Sequence, residues 1–234
     1  MIVTVMASLM LAHAPLSGYA EYDAEGVYVV LADHAAECTR RNDRRRKQGR
    51  ATRRCMTGAE VEAFAIALLG AGARYDIDPL MLAAISKVES NWRVDVMGDC
   101  KQRNPKRRCG AYGLFQLHAN AARGRSGEPS PCVRLAGSRK ACPASLVCND
   151  MTAACERSIE ASALTAAWLL RKLIDKHGAA FALVGYNCGP WRCCADRYTS
   201  PAGRRICRRQ IPHTSTTRKY MRVYRSLRHR LRGD

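Results

Sequence analysis

Apolar residues recur at steps of three and four along four stretches of the chain, and each stretch predicts an amphipathic helix. In residues 60–75 the stripe is Val61, Phe64, Ala65, Leu68 and Leu69, with Gly70 and Gly72 weakening its end. In 80–90 it is Met81, Leu82, Ile85 and Val88. In 159–176 it is Ala163, Ala167, Leu170 and Ile174, with Gly178 as the stop. Near the end of the chain Tyr220, Val223, Tyr224, Leu227 and Leu231 keep the same period, with arginines on the other faces. A shorter apolar segment, 181–187, ends at Gly189-Pro190. The pattern predicts a mainly α protein whose first two helices pack antiparallel across a turn at Asp76-Ile77.

The helix over 80–90 has a well-formed start. Asp78 can accept orphan amide protons as an N-cap, and Pro79 suits the first turn, where its missing N–H would be unpaired anyway. Glu89 is its unusual residue. It follows Ile85 by four and Leu82 by seven, so its carboxyl falls on or beside the apolar stripe. Burial there disfavours a carboxylate and raises its pKa, as a general acid working near neutral pH requires. The plainer alternative is an acid that ends the helix and turns to solvent.

Between these helices lie two irregular regions. Residues 95–108 make a polar excursion that reads as a loop or small hairpin, with Cys100 and Cys109 as a plausible local pair. Residues 120–157 hold Cys132, Cys142, Cys148 and Cys155 among Gly, Ser and Pro, and read as a disulfide-supported loop. Trp92 and Trp168 are expected in the core.

Composition narrows the setting. Twelve cysteines, all between Cys38 and Cys207, fit an oxidising compartment and as many as six disulfides. Zinc is the rival explanation, but there is no Cys-x-x-Cys pair, and His118 and His213 fall outside ligand spacing. No metal or other cofactor is therefore expected. Residues 1–20 resemble an export signal: 2–12 are mostly apolar, too few to span a membrane, and small residues lead to a cut after Ala20, although no Lys or Arg precedes the run.

The chain carries 39 basic and 20 acidic residues, a formal charge of +19. Residues 21–58 form an N-terminal extension with a basic run. There 28–31 are apolar, and 40–54 hold nine Lys or Arg against the one acid Asp43. This run lies between Cys38 and Cys55, which predicts a stapled, solvated basic loop; its functional counterpart is an arm drawn to anionic polymers of the cell envelope. Nucleic acid is not the expected partner: three Phe, three Trp and nine Tyr are sparse, no recognised nucleic-acid motif is present, and export removes the chain from most of it.

Three short motifs then follow one another in order: Glu89-Ser90, then Gly110-Ala111-Tyr112-Gly113-Leu114-Phe115-Gln116, then Gly185-Tyr186-Asn187-Cys188-Gly189-Pro190. Together with Thr217-Arg218-Lys219-Tyr220, the series resembles the soluble-type (SLT) lytic transglycosylase family, which is similar in fold to goose-type lysozymes. The likeness covers roughly residues 60–227. Phe115 stands where the family has Met, Gly185 and Cys188 replace alanines, and Thr216 replaces the acid that usually precedes Thr-Arg.

The resemblance implies a two-lobed, lysozyme-like helical domain over 59–234 with a substrate cleft, rimmed by the 95–108 insertion. It implies an exported monomer that acts on peptidoglycan glycan strands in the periplasm or outside the cell. Glu89 is the catalytic residue it implies, with Ser90, Gln116, Tyr186, Asn187 and Tyr220 in contact with the sugars. Glycosidases ordinarily use two carboxylates. Here the motifs supply one, so the expected reaction is one in which the substrate's own C6 hydroxyl replaces water and a 1,6-anhydro-muramyl end forms. The alternatives are a goose-type hydrolase assisted by Asp95 or Asp99, and a non-catalytic protein that binds the envelope through its basic arm.

Overall fold

The structure is a computed structural model, and it describes residues 24–98, 111–118, 124–125, 128–129, 158–188 and 215–232. Residues 1–20, read as an export signal, Asp99, Cys100 and Cys109, expected to pair, the cysteines of 132–155 and Cys193-Cys194 lie outside the described residues. Six helices hold most of what is described: α1 (Ala24–Lys47), α2 (Gly58–Tyr75), α3 (Pro79–Ser90), α4 (Ile159–His177), α5 (Ala179–Cys188) and α6 (Ser215–Arg232). The mainly helical class read from the periodicity is thus found. No helix among the described residues is long and apolar enough to cross a membrane.

The predicted helices start and stop for local reasons. Thr57 caps α2 with a complete capping box, its hydroxyl accepting from the Glu60 N–H at 3.2 Å while its own N–H donates to Glu60 Oε2 at 2.8 Å. This begins the helix slightly ahead of the apolar stripe. Asp76 closes it with φ 52°, and after that turn Asp78 caps α3, accepting from the Leu80 N–H at 2.8 Å with Pro79 in the first turn. Ser158 caps α4, and Gly178 ends it at φ 85°.

Gly72 does not weaken the end of α2; it permits a close approach. A Cβ there would lie 2.6 Å from the Ile77 carbonyl oxygen and 2.8 Å from Pro79 Cγ, so only glycine lets the chain fold back so tightly into α3.

The core is built from the stripes that the sequence marks. Val61, Phe64, Ala65 and Leu68 of α2, Leu82 and Ile85 of α3, and Ala163, Ala167 and Leu170 of α4 are all buried. Each fully buried Leu or Phe of this set contributes about 1.5–3 kcal/mol. Helix α2 packs against α1, α3 and α4, α4 packs against α5, and α6 lies against α3, α5 and α1. Trp92 and Trp168 are both core residues, as expected; the Trp92 indole N–H donates to the Ala83 carbonyl at 2.8 Å.

The N-terminal stretch differs from its reading as an extension with a basic loop. Its basic residues continue a helix, α1, whose Val27, Val30 and Leu31 are buried in the common core. The short apolar run 28–31 was too brief to reveal a helix by period. What makes it one is packing, since Gly26 lets Leu231 of α6 come so close that a Cβ would meet Leu231 Cδ2 at 2.7 Å. The staple is present: Cys38 and Cys55 form a disulfide with a Cα separation of 5.8 Å. Beside it, Asn42 clamps the segment leading to α2, its side-chain amide donating to the Arg53 carbonyl and accepting from the Arg53 N–H at 2.9 Å.

Small strands flank the polar excursion. Strand β1 (Met97–Gly98) pairs antiparallel with β2 (Ala111–Tyr112), and β2 with β3 (Leu117–His118), in the register Met97 to Tyr112 and Ala111 to His118. The hairpin reading of that excursion therefore holds at its two ends. Within 120–157, read as a loop, β4 (Gly124–Arg125) and β5 (Glu128–Pro129) form a second short antiparallel pair.

Candidate functional site

Glu89 occupies the last turn of α3 and is half-buried. The helix ends directly behind it because Asn91 and Trp92 both take left-handed backbone conformations, φ 55° and 57°. Such a conformation is uncommon for any residue with a Cβ and costly for one as bulky as Trp. Burial of the indole and its bond to Ala83 hold Trp92 there, and the turn it makes sets where Glu89 stands.

The second motif forms the tight connection between β2 and β3. Gly113 has φ 69° and Gln116 φ 47°, so two left-handed residues bracket the four-residue turn. Its N–H groups tie it down: Gly113 donates to the Val96 carbonyl at 2.8 Å, and the Gln116 side-chain amide donates to Val96 at 3.1 Å and to Gly113 at 2.9 Å. Gln116 is thus not a helix residue, and its amide hydrogens serve the backbone. Any ligand contact falls to its carbonyl oxygen.

Two serines one helical turn apart bind this turn to α3. Ser86, wholly buried, donates to the Leu114 carbonyl at 3.0 Å. The Ser90 hydroxyl lies 2.8 Å from the same carbonyl and 3.0 Å from that of Ser86, and accepts from the Arg93 N–H at 3.3 Å. Ser90 is buried at 5% exposure. Expected against the sugars, it faces inward and holds the second motif in place. Ser86 was not singled out in the sequence, although its position four residues before Ser90 put it on the same helix face.

The third motif arrives from α5. Tyr186 has a partly exposed ring but an enclosed hydroxyl, which donates to the Phe115 carbonyl at 3.1 Å. Burial first, then the charge of Glu89 and then Tyr220, holds this phenol well above its usual pKa, so it remains a neutral donor. Asn187 lies in the last turn of α5, and its side chain is outside the described part of the structure.

Tyr220 of α6 completes the cluster. It is fully buried, and its hydroxyl donates to Glu89 Oε1. One turn along, Tyr224 donates to Asp78 Oδ2, so α6 grips α3 at both ends. Phe115 fills the space below, wholly buried and edge-on to Phe64 with ring centroids 6.0 Å apart. Phe115 is thus a core residue packed against α2.

Asp95, the candidate second carboxylate, is exposed and faces Arg93 at 3.3 Å. Among the described residues no group of three or more His, Cys, Asp or Glu side chains could hold a metal ion. Comparisons of the chain with protein-family models, with curated proteins and with solved structures find no match.

Proposed function

We propose that this chain is a peptidoglycan lytic transglycosylase with a lysozyme-like, two-lobed fold, and that Glu89 is its sole general acid and base. One observation carries the reading. The three motifs and the 217–220 segment meet at one place, joined by Ser90 to Leu114, Tyr186 to Phe115 and Tyr220 to Glu89.

The chemistry follows from a single carboxyl group. Tyr220 donates to Glu89 Oε1, and in this reading Glu89 carries the transferable proton. Glu89 gives that proton to the glycosidic oxygen between MurNAc and GlcNAc, and the bond from C1 to that oxygen breaks. The oxocarbenium-like centre is stabilised by the substrate's acetamido group. The C6 hydroxyl of the same sugar then closes on C1, and its proton returns to Glu89. No water is consumed, and a second carboxylate has no task. The pairing of Asp95 with Arg93 speaks against the hydrolytic alternative, in which Asp95 would steer water.

In this reading the protein is exported and works as a monomer in the periplasm or outside the cell. The Cys38–Cys55 disulfide supports an oxidising compartment. The basic residues of α1 and α6 draw the enzyme to its anionic surroundings.

The test is mass spectrometry of soluble products after oxidised protein is incubated with peptidoglycan. Products one water lighter than hydrolysed muropeptides are expected. Reducing-end products would replace this reading with a hydrolase, and no products at all would leave an envelope-binding protein.

A further inference from the structure

On the side of α3 turned toward α1, a pocket is lined by His34, Arg53, Asn91, Trp92 and Arg93, with the Cys38–Cys55 disulfide in its wall. Against His34 and Trp92 sits Lys87, half-buried. Its ammonium group is 2.5 Å from His34 Nδ1 and 4.3 Å above the Trp92 ring. His34 in turn meets Trp92 edge-on at 4.8 Å.

The charges around this pocket do not balance. Arg54 pairs with Glu60, and Arg93 with Asp95. Lys87, Arg53 and Arg230 make no ion pair among the described residues, and Arg230 and Arg41 both act on Lys87 and on His34. A half-buried ammonium without a counter-charge is costly. The cost shows in both groups: burial and these cations lower Lys87 to about 8 and His34 to about 4.

We propose that this pocket binds a phosphate group, with Arg53 as its direct ligand and Lys87 supplying charge from behind the His34 and Trp92 rings. More than one uncompensated cation favours a phosphate over a single carboxylate, and guanidinium matches phosphate oxygens in geometry as well as in charge. The staple makes the site possible. It holds the segment carrying Arg53 against α1, so Arg53 stands at the pocket without a folding cost at the moment of binding.

The experiment is calorimetric titration of the oxidised full chain with inorganic phosphate at neutral pH, read without reference to lytic activity. Saturable binding is expected, weakened about tenfold by Arg53→Gln and by Lys87→Met. The exposed control Arg44→Gln, which removes the same charge from α1 away from the pocket, should leave it unchanged. A parallel titration with poly(glycerol phosphate) identifies the source: tighter binding per phosphate points to an envelope polymer, and equal or weaker binding to free phosphate. Absence of saturable binding, or an Arg53→Gln protein that binds as the Arg44→Gln control does, would overturn the proposal. Arg53 is exposed, so its variant tests the site even if Lys87→Met fails to fold.

Discussion

Tyr220 stands 131 residues beyond Glu89 in the chain and its phenol donates a hydrogen bond to Glu89 Oε1. The contact exists because α6 runs along α3 in the opposite sense, with Tyr220 at one end and Tyr224 at the N-cap Asp78. If Glu89 is the acid and base, Glu89→Gln should reduce release of soluble muropeptides by about a hundredfold or more. Tyr220→Phe should keep the fold and cost about 1.5–3 kcal/mol of transition-state stabilisation, seen mostly in kcat, because a hydrogen bond to a charged group is lost. Equal activity in wild type and Glu89→Gln would remove this residue from the chemistry.

Ser86 and Ser90 share the Leu114 carbonyl, which predicts a coupling that a substrate-binding role for Ser90 would not produce. Either Ser→Ala change alone leaves Leu114 one donor and should cost about 1 kcal/mol. The double variant strands a buried carbonyl, so its cost should exceed the sum of the singles by about 1 kcal/mol or more. Urea denaturation of the four proteins measures this, and simple additivity would count against the shared-carbonyl account.

Two glycines of α2 should respond with opposite signs. Gly72→Ala drives a methyl into the Ile77 carbonyl and the Pro79 ring and should destabilise by about 1–3 kcal/mol. Gly70 is exposed with nothing within 4 Å of its would-be Cβ, so Gly70→Ala should stabilise by about 0.5–1 kcal/mol. Thermal unfolding of the pair would expose a mistaken α2–α3 junction if both shifts had the same sign.

His34 makes stability depend on pH. Burial, followed by the charge of Lys87, lowers it from 6.5 to about 4. Between those values the unfolded chain binds more protons than the folded one, so its contribution is complete above about 6.5 and is lost as pH falls through about 4. His34→Gln should therefore lose less stability between pH 7 and pH 4 than the wild type does, relative to each protein's value at pH 7. Parallel slopes in denaturation midpoints would mean that His34 is not desolvated as described.

Much of the helical framework is legible in the residue pattern. The buried faces of α2 and α4 are those marked by Val61 to Leu68 and by Ala163 to Leu170. Asp78 and Gly178 cap the helices they were expected to cap. Helix α1 escaped because its apolar run is short and its arginines outweigh it; only contact with α2 and α6 makes burial of Val27 and Leu31 worthwhile. Ser90 illustrates the same limit at the site. Its place in a motif suggested a ligand contact, whereas the carbonyl of Leu114 lies close enough to claim its hydroxyl.

By itself the sequence determined the helical class, the ends of α2, α3 and α4, and the oddity of Glu89 at the edge of an apolar stripe. Those features depend on neighbours within one or two helical turns, where period and capping chemistry operate. The tertiary structure decided which groups Glu89 and its neighbours meet: Tyr220 on the carboxylate, Tyr186 on the Phe115 carbonyl, and Lys87 on the far side against His34. Such pairings are set by how α6 packs on α3, α5 on α4 and α6, and α1 on α2 and α6, and the pattern along any one helix carries no information about that packing.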